Sequence, residues 1–170
     1  LRLPERCAII RLRPIENQRR GGCRVMKDIA VAAMRAFAVM GHTSSGKTTL
    51  TDALLFKLGL NDRLGSVDSG SSMSDYTNEE KSRKISIFAK PFAGEYKTSG
   101  GSQAGMVFVD TPGYQDFFGQ VIAASRAVET GLIVVDASSG VQVGTIRVWK
   151  HCEKQGLARA IVITGLDREN

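Results

Sequence analysis

The chain has 170 residues, 42% hydrophobic and 24% charged, a length suited to one domain and the balance of an ordinary globular protein. No apolar run approaches the ~20 residues of a membrane span. The three cysteines, Cys7, Cys23 and Cys152, form no C-x-x-C or Cys/His cluster, so neither a disulfide framework nor a zinc site is supported.

The formal net charge of +6 is concentrated at one end. Residues 1–25 hold seven Arg against two Glu, and residues 26–170 are close to neutral. Residues 1–35 therefore read as a basic, poorly ordered extension. A solvated arm is preferred over an RNA contact, since the body of the chain gives no electrostatic case for nucleic acid. No direct DNA binding and no membrane contact are expected, and a cytoplasmic location is the default for such cysteine usage. The arm lacks the apolar core of a secretory signal and the Ser/Thr of a transit peptide. Met26 or Met34 is a candidate native start.

Ala36 to Met40 is a short apolar run suited to a buried parallel strand. A helix is expected from Thr49 to Gly59, and residues 60–84 read as a long polar loop. Ile85 to Ala89 alternates like a strand, with Phe92 to Tyr96 extending it. A Gly/Ser-rich hairpin turn then leads to a strand at Met106–Val109. Helices over 115–130 and 143–155 alternate with strands at Leu132–Val135 and Ala160–Ile163. The expected fold class is α/β: a mainly parallel sheet with helices on both faces and one antiparallel hairpin strand.

Between the first strand and the first helix lies Gly41-His42-Thr43-Ser44-Ser45-Gly46-Lys47-Thr48. It fits G-x-x-x-x-G-K-[ST], the phosphate-cradling P-loop, without a mismatch. Gly41 and Gly46 permit a tight turn in which consecutive N–H groups face phosphate oxygens. Lys47 reaches the β/γ-phosphates, the Thr48 hydroxyl is placed for Mg²⁺, and Thr49 follows at the helix N-terminus. Strand, loop and helix in that order make a chance match a poor explanation.

Asp110-Thr111-Pro112-Gly113 ends a buried strand. A strand-end Asp helps hold Mg²⁺ in P-loop nucleotidases, and Gly113 can offer its N–H to a γ-phosphate and move when that phosphate leaves. A plain strand-end turn would also explain D-x-x-G; its distance from the P-loop, with the long loop between, favours the functional reading. Thr164-Gly165-Leu166-Asp167 ends the last strand. Its Asp167 aligns with the carboxylate that accepts the N1 and N2 protons of guanine, and a capping Asp is the alternative.

Together these pieces resemble the GTPase domain of elongation factor G, and more closely the elongation-factor-G-like group of translational GTPases. The resemblance rests on GHTSSGKTTLTDALL, GSVDSG, SDYTNEEKSRKISI, VDTPGYQDF, GLIVVDASSGVQVGT and TGLDREN, in order over about four-fifths of the chain. It implies a P-loop NTPase over residues 36–170 that binds GTP/GDP and Mg²⁺, hydrolyses GTP and works with the ribosome. It implies phosphate contacts from Gly41 to Thr49 and roles for Asp110, Gly113, Thr164 and Asp167. Thr48, Ser86 and Asp110 become the metal ligands, and Lys47, Gly113 and Tyr114 the residues nearest the reaction. Residues 60–84 become the first switch loop. The family pattern continues past Asn170, so the chain reads as an incomplete domain, its C-terminal helix and strand missing.

Three departures from the pattern carry expectations. Tyr114 stands where a His orients the attacking water, and a phenol cannot act as that imidazole does; slow hydrolysis is expected. Lys84 stands where a Gly is usual and is expected to alter the loop backbone. Gly165 replaces a Lys whose stem covers the guanine ring, so weakened guanine affinity is expected, raised by Gly165→Lys. A P-loop ATPase of another class is the remote alternative. His42, inside the P-loop, and His151, on a helix, are not read as catalytic bases.

Overall fold

The computed structural model describes residues 29–167; most of the basic extension expected over 1–35 lies outside them. The sheet strands are β1 (Met34–Gly41), β2 (Lys90–Lys97), β3 (Gln103–Asp110), β4 (Thr130–Asp136) and β5 (Ala158–Thr164). The helices are α1 (Lys47–Lys57), α2 (Asn78–Arg83), α3 (Phe118–Ser125) and α4 (Val143–Gln155). The strand order is β2-β3-β1-β4-β5. β1 runs parallel to β3 and β4, and β4 parallel to β5. Among the described residues, only the β2–β3 hairpin is antiparallel.

Side-chain alternation along the strands builds two cores. Ala38 and Met40 of β1, Val109 of β3 and Ile133 and Val135 of β4 face one way, toward Val121 and Ala124 of α3 and Val148 and Cys152 of α4. Met106 and Phe108 face the other way, toward Leu55 of α1 and Leu58 just past it. Phe37 stacks on Phe108 there at 5.6 Å between ring centroids. Burial of each such large apolar side chain stabilises the fold by ~1.5–3 kcal/mol. β4 carries near-continuous apolar residues because both its faces are covered, as a central parallel strand requires. β5 pairs only with β4 among the described strands, and its Ile161 and Ile163 are exposed.

Three expectations are corrected. Ile85–Ala89 is not a strand; the strand begins at Lys90. There the N–H groups of Ile87 and Phe88 bond to a buried carboxylate (described below), not to a neighbouring strand. The loop over 60–84 contains α2, whose Thr77-x-x-Glu80 spacing forms a complete capping box. The helix expected over 115–130 is shorter: a 3-10 turn at Gln115–Phe117 leads into α3, which ends at Ser125. α4 spans the expected residues.

Candidate functional site

The sheet places the loops after β1 and β3 side by side, because their strands are parallel neighbours. After β1, Gly46 takes a left-handed φ of 82° and α1 begins at once with Lys47. The first helical bond there is Leu50 N–H to Gly46 O at 2.9 Å. The N–H groups of Lys47, Thr48 and Thr49 precede it and lack helical acceptors, as at any helix start. Helix start and loop together form an anion cradle. Lys47 is buried, and its Nζ donates to His42 O across the loop. Burial pushes its pKa down to about 8, against the pull of Asp110 and Asp75.

Asp110, at the end of β3, is also buried. Ser74 Oγ donates to its Oδ2 at 2.5 Å, while Oδ1 has no hydrogen-bond partner. Burial pushes its pKa up to about 6, partly offset by the Ser74 bond and by Lys47 and Lys90. A desolvated ammonium beside a desolvated carboxylate is an arrangement completed by an anion at the first and a cation at the second. Next along the chain, Thr111 Oγ1 donates to Val39 O at 2.7 Å and pins the β3 loop to β1. Gly113 then lies against the P-loop. A Cβ there would come within 2.5 Å of Lys47 Nζ and 2.7 Å of Thr43 Cα.

Thr48 Oγ1 and Ser86 Oγ, 38 residues apart, stand 3.0 Å from each other. Ser86 Oγ also donates to Asp75 Oδ1 at 2.8 Å. Adjacent ligands of an octahedral Mg²⁺ at about 2.0–2.1 Å are separated by roughly 2.9 Å. The hydroxyl pair therefore has the spacing of two such ligands, and Asp110 Oδ1, buried and without a hydrogen-bond partner, is a hard oxygen of the kind that cation prefers. The residues present fit the ion.

The segment that delivers Ser86 is built on Glu80. This carboxylate is fully buried and accepts from Ile87 N–H at 2.8 Å, Phe88 N–H at 3.3 Å and Thr77 Oγ1 at 2.9 Å. Lys90 Nζ pairs with it at 2.6 Å and with Asp75 at 2.8 Å. Burial opposes its charge, yet the Ile87 bond and Lys90 hold its pKa below the ordinary value. These partners explain why the segment leaves the sheet: the Ile87 and Phe88 N–H groups bond to Glu80, and the Ala89 N–H bonds to Gln120 Oε1 at 3.1 Å. Lys84 takes φ 54° and ψ 40° at the end of α2. It thus adopts the left-handed conformation that glycine takes at no steric cost. Asp52 of α1 anchors the earlier part of the segment, accepting from Met73 N–H at 3.0 Å.

Thr43, Ser44, Gly46, Lys47, Thr48, Thr49, Ser86, Gly113 and Tyr114 line one cleft of about 330 Å³, with Val67, Asp68, Asp75, Lys84 and Ile85. Ser45 and Asp110 are buried and do not line it. Gly41 closes on Val134 O, and His42 packs on Gly144 of α4. Tyr114 is 42% exposed. Thr164 does not line the cleft: its Oγ1 donates to Ser45 O at 2.9 Å and braces the P-loop from β5. Asp167 is exposed in the turn beyond β5. Gly165 there has φ 68°, so a lysine would carry about 1–2 kcal/mol of backbone strain, a cost to stability. Sequence reasoning passed over Asp75, Glu80 and Lys90. Only Glu80 carried a signal, the capping-box spacing from Thr77.

The profile of the elongation factor Tu GTP binding domain matches residues 32–170. The chain belongs to this family of GTP-binding domains. Family members of similar sequence include elongation factor G 2 of Borreliella burgdorferi, 30% identical over 136 residues, which are 80% of this chain and 20% of that protein. Elongation factor G 2 of Borreliella afzelii is 30% identical over 135 residues, 79% of this chain and 19% of its own length. A crystal structure of a Thermus thermophilus protein superposes with a TM-score of 0.73 at 40% identity, covering 82% of this chain and 20% of that one. A bacterial selenocysteine-specific elongation factor, EF-Sec, shares the fold with a TM-score of 0.60 at 24% identity, covering 80% of this chain and 20% of that one. The chain spans about a fifth of the length of these relatives. The family and the mixed five-stranded sheet identify a translational GTPase domain of the P-loop class.

Proposed function

We propose that this chain is the nucleotide-binding part of an elongation-factor-G-like translation factor, a cytoplasmic GTP-driven switch that acts on the ribosome, binds GTP and GDP with Mg²⁺, and hydrolyses GTP. Residues 36–170 form its domain and residues 1–35 an extension. The observation that carries the reading is the meeting of Thr48 and Ser86 at 3.0 Å, because it joins the P-loop to a distant segment at the spacing of a shared metal ion.

In this reading the Gly41–Thr49 backbone and the buried Lys47 ammonium hold the β- and γ-phosphates. Thr48, Ser86 and Asp110 hold Mg²⁺, which when bound neutralises phosphate charge. Gly113 offers its N–H where the γ-phosphate ends and withdraws when that phosphate is lost. Asp167 accepts from the guanine edge, and Thr164 serves it by fixing the P-loop. Tyr114 borders the cleft and orders water there through its hydroxyl, without the proton-accepting capacity of a histidine.

That last point favours a second reading, a GTP-binding switch with little hydrolysis. The test is single-turnover GTP hydrolysis with ribosomes, using the protein that carries this chain. The first reading expects Mg²⁺-dependent turnover that is lost in Lys47→Ala. GTP binding without turnover moves the assignment to the second reading, and absence of nucleotide binding overturns both.

A further inference from the structure

Lys90 opens β2, directly across the ladder from Asp110. It is 5% exposed, and its Nζ sits between two buried carboxylates, 2.8 Å from Asp75 Oδ1 and 2.6 Å from Glu80 Oε1. Both carboxylates act on Ser86 and its flank: Glu80 by holding the N–H groups of Ile87 and Phe88, Asp75 by accepting the Ser86 hydroxyl proton. A hydroxyl has one proton. Since Ser86 gives its proton to Asp75, the Thr48–Ser86 bond must be donated by Thr48. Ser86 therefore turns a lone pair toward Thr48, the orientation a metal ligand needs. Without a cation between them, Asp75 and Glu80 would be two buried like charges in one pocket, which repel and rearrange.

We propose that Lys90 is a positioning residue for the divalent cation: it locks Asp75 and Glu80 in place, and through Asp75 it fixes the Ser86 hydroxyl with its oxygen facing the Thr48 side. Lys90 touches neither nucleotide nor metal in this role. The inference rests on the proposed Mg²⁺–nucleotide reading of the cleft. It adds that the metal requirement is set by a buried lysine that does not itself line the cleft.

The test is the Mg²⁺ concentration that half-maximally slows release of a fluorescent non-hydrolysable GTP analogue. Lys90→Met is expected to raise that concentration about tenfold, the effect of losing one hydrogen bond to a charged group. Lys90→Arg restores it to within about threefold, since the guanidinium can bridge both carboxylates. Release in excess EDTA stays unchanged in both. In a Ser86→Ala background, Lys90→Met adds nothing further, because the two act through one hydroxyl. An unchanged Mg²⁺ requirement in folded Lys90→Met overturns the proposal, as does an effect that adds in full to Ser86→Ala. Should Lys90→Met fail to fold, Asp75→Asn gives the same readout: the amide can donate to Ser86 and reverse its polarity, and an unchanged Mg²⁺ requirement there also overturns the proposal. A wild-type chain that binds the analogue with no Mg²⁺ dependence refutes the metal reading itself, a result distinct from the failure of Lys90.

Discussion

Gly113→Ala is the substitution whose effect the geometry defines best. Its Cβ would lie 2.5 Å from Lys47 Nζ, 2.7 Å from Thr43 Cα and 2.8 Å from Thr43 N. Lys47 Nζ ends a flexible side chain, but it is buried and bonded to His42 O, so it has little room to yield. Thr43 Cα and N are backbone of the P-loop and cannot rotate away. Either the segment after β3 withdraws from the P-loop or the loop itself distorts. Overpacking of this kind costs about 1–3 kcal/mol, a lowering of Tm by several degrees for a domain of this size. The same displacement moves the residue 113 N–H from the end of the cleft. Affinity for a non-hydrolysable GTP analogue should then fall roughly 5- to 150-fold, while GDP affinity changes much less. Isothermal titration with both nucleotides, beside a thermal melt, reads both effects. A Tm within about a degree of wild type, with both affinities intact, would refute the argument that Gly113 is required by contact.

Lys84→Gly should stabilise the protein by about 0.5–1 kcal/mol, as relief of left-handed strain exceeds the extra chain entropy of glycine. Urea unfolding checks this, and Lys84→Ala should bring no gain because it keeps the strained φ of 54°. His151 lies 2.9 Å from Ser125 Oγ and edge-on to Phe118, and burial, Lys154 and Arg126 lower its pKa. The folded state therefore binds fewer protons than the unfolded chain just below the ordinary value of about 6.5. Stability is complete above that value and declines as pH falls through it toward the folded pKa. Urea midpoints at pH 7.5 and 5.5 should differ less in His151→Gln than in wild type. Tyr114→Phe should slow ribosome-stimulated single-turnover hydrolysis if the phenol orders water; an unchanged rate removes it from the mechanism.

The P-loop was legible because its physical demands are local: a strand, glycines at fixed offsets, a lysine and a helix. The parallel strands were legible for the same reason, since burial on both faces forces apolar runs such as Leu132–Val135. The Ile85–Ala89 segment misled because its alternation mimics a strand while the N–H groups of Ile87 and Phe88 bond to Glu80, a partner that lies in an earlier helix. α2 was missed because only six residues form it and no apolar period marks it, although the capping box at Thr77 and Glu80 was readable. Asp75 and Lys90 carried no signal. Each looks like a solvated charge in the sequence, and only the fold brings them within 2.8 Å in a buried pocket. Thr164 was read as part of a base motif, and the fold shows its hydroxyl holding the P-loop.

The central claim is a guanine-selective, Mg²⁺-dependent phosphate site. Calorimetric titration of the protein with GDP, GTP analogue and ATP, with Mg²⁺ and in EDTA, tests it most directly. The account predicts saturable binding of both guanine nucleotides, tightened by Mg²⁺, with ATP at least about a hundredfold weaker, since a site built on the guanine edge leaves Asp167 unpaired with adenine. Equal affinity for ATP and GTP, or guanine binding indifferent to Mg²⁺, would contradict it.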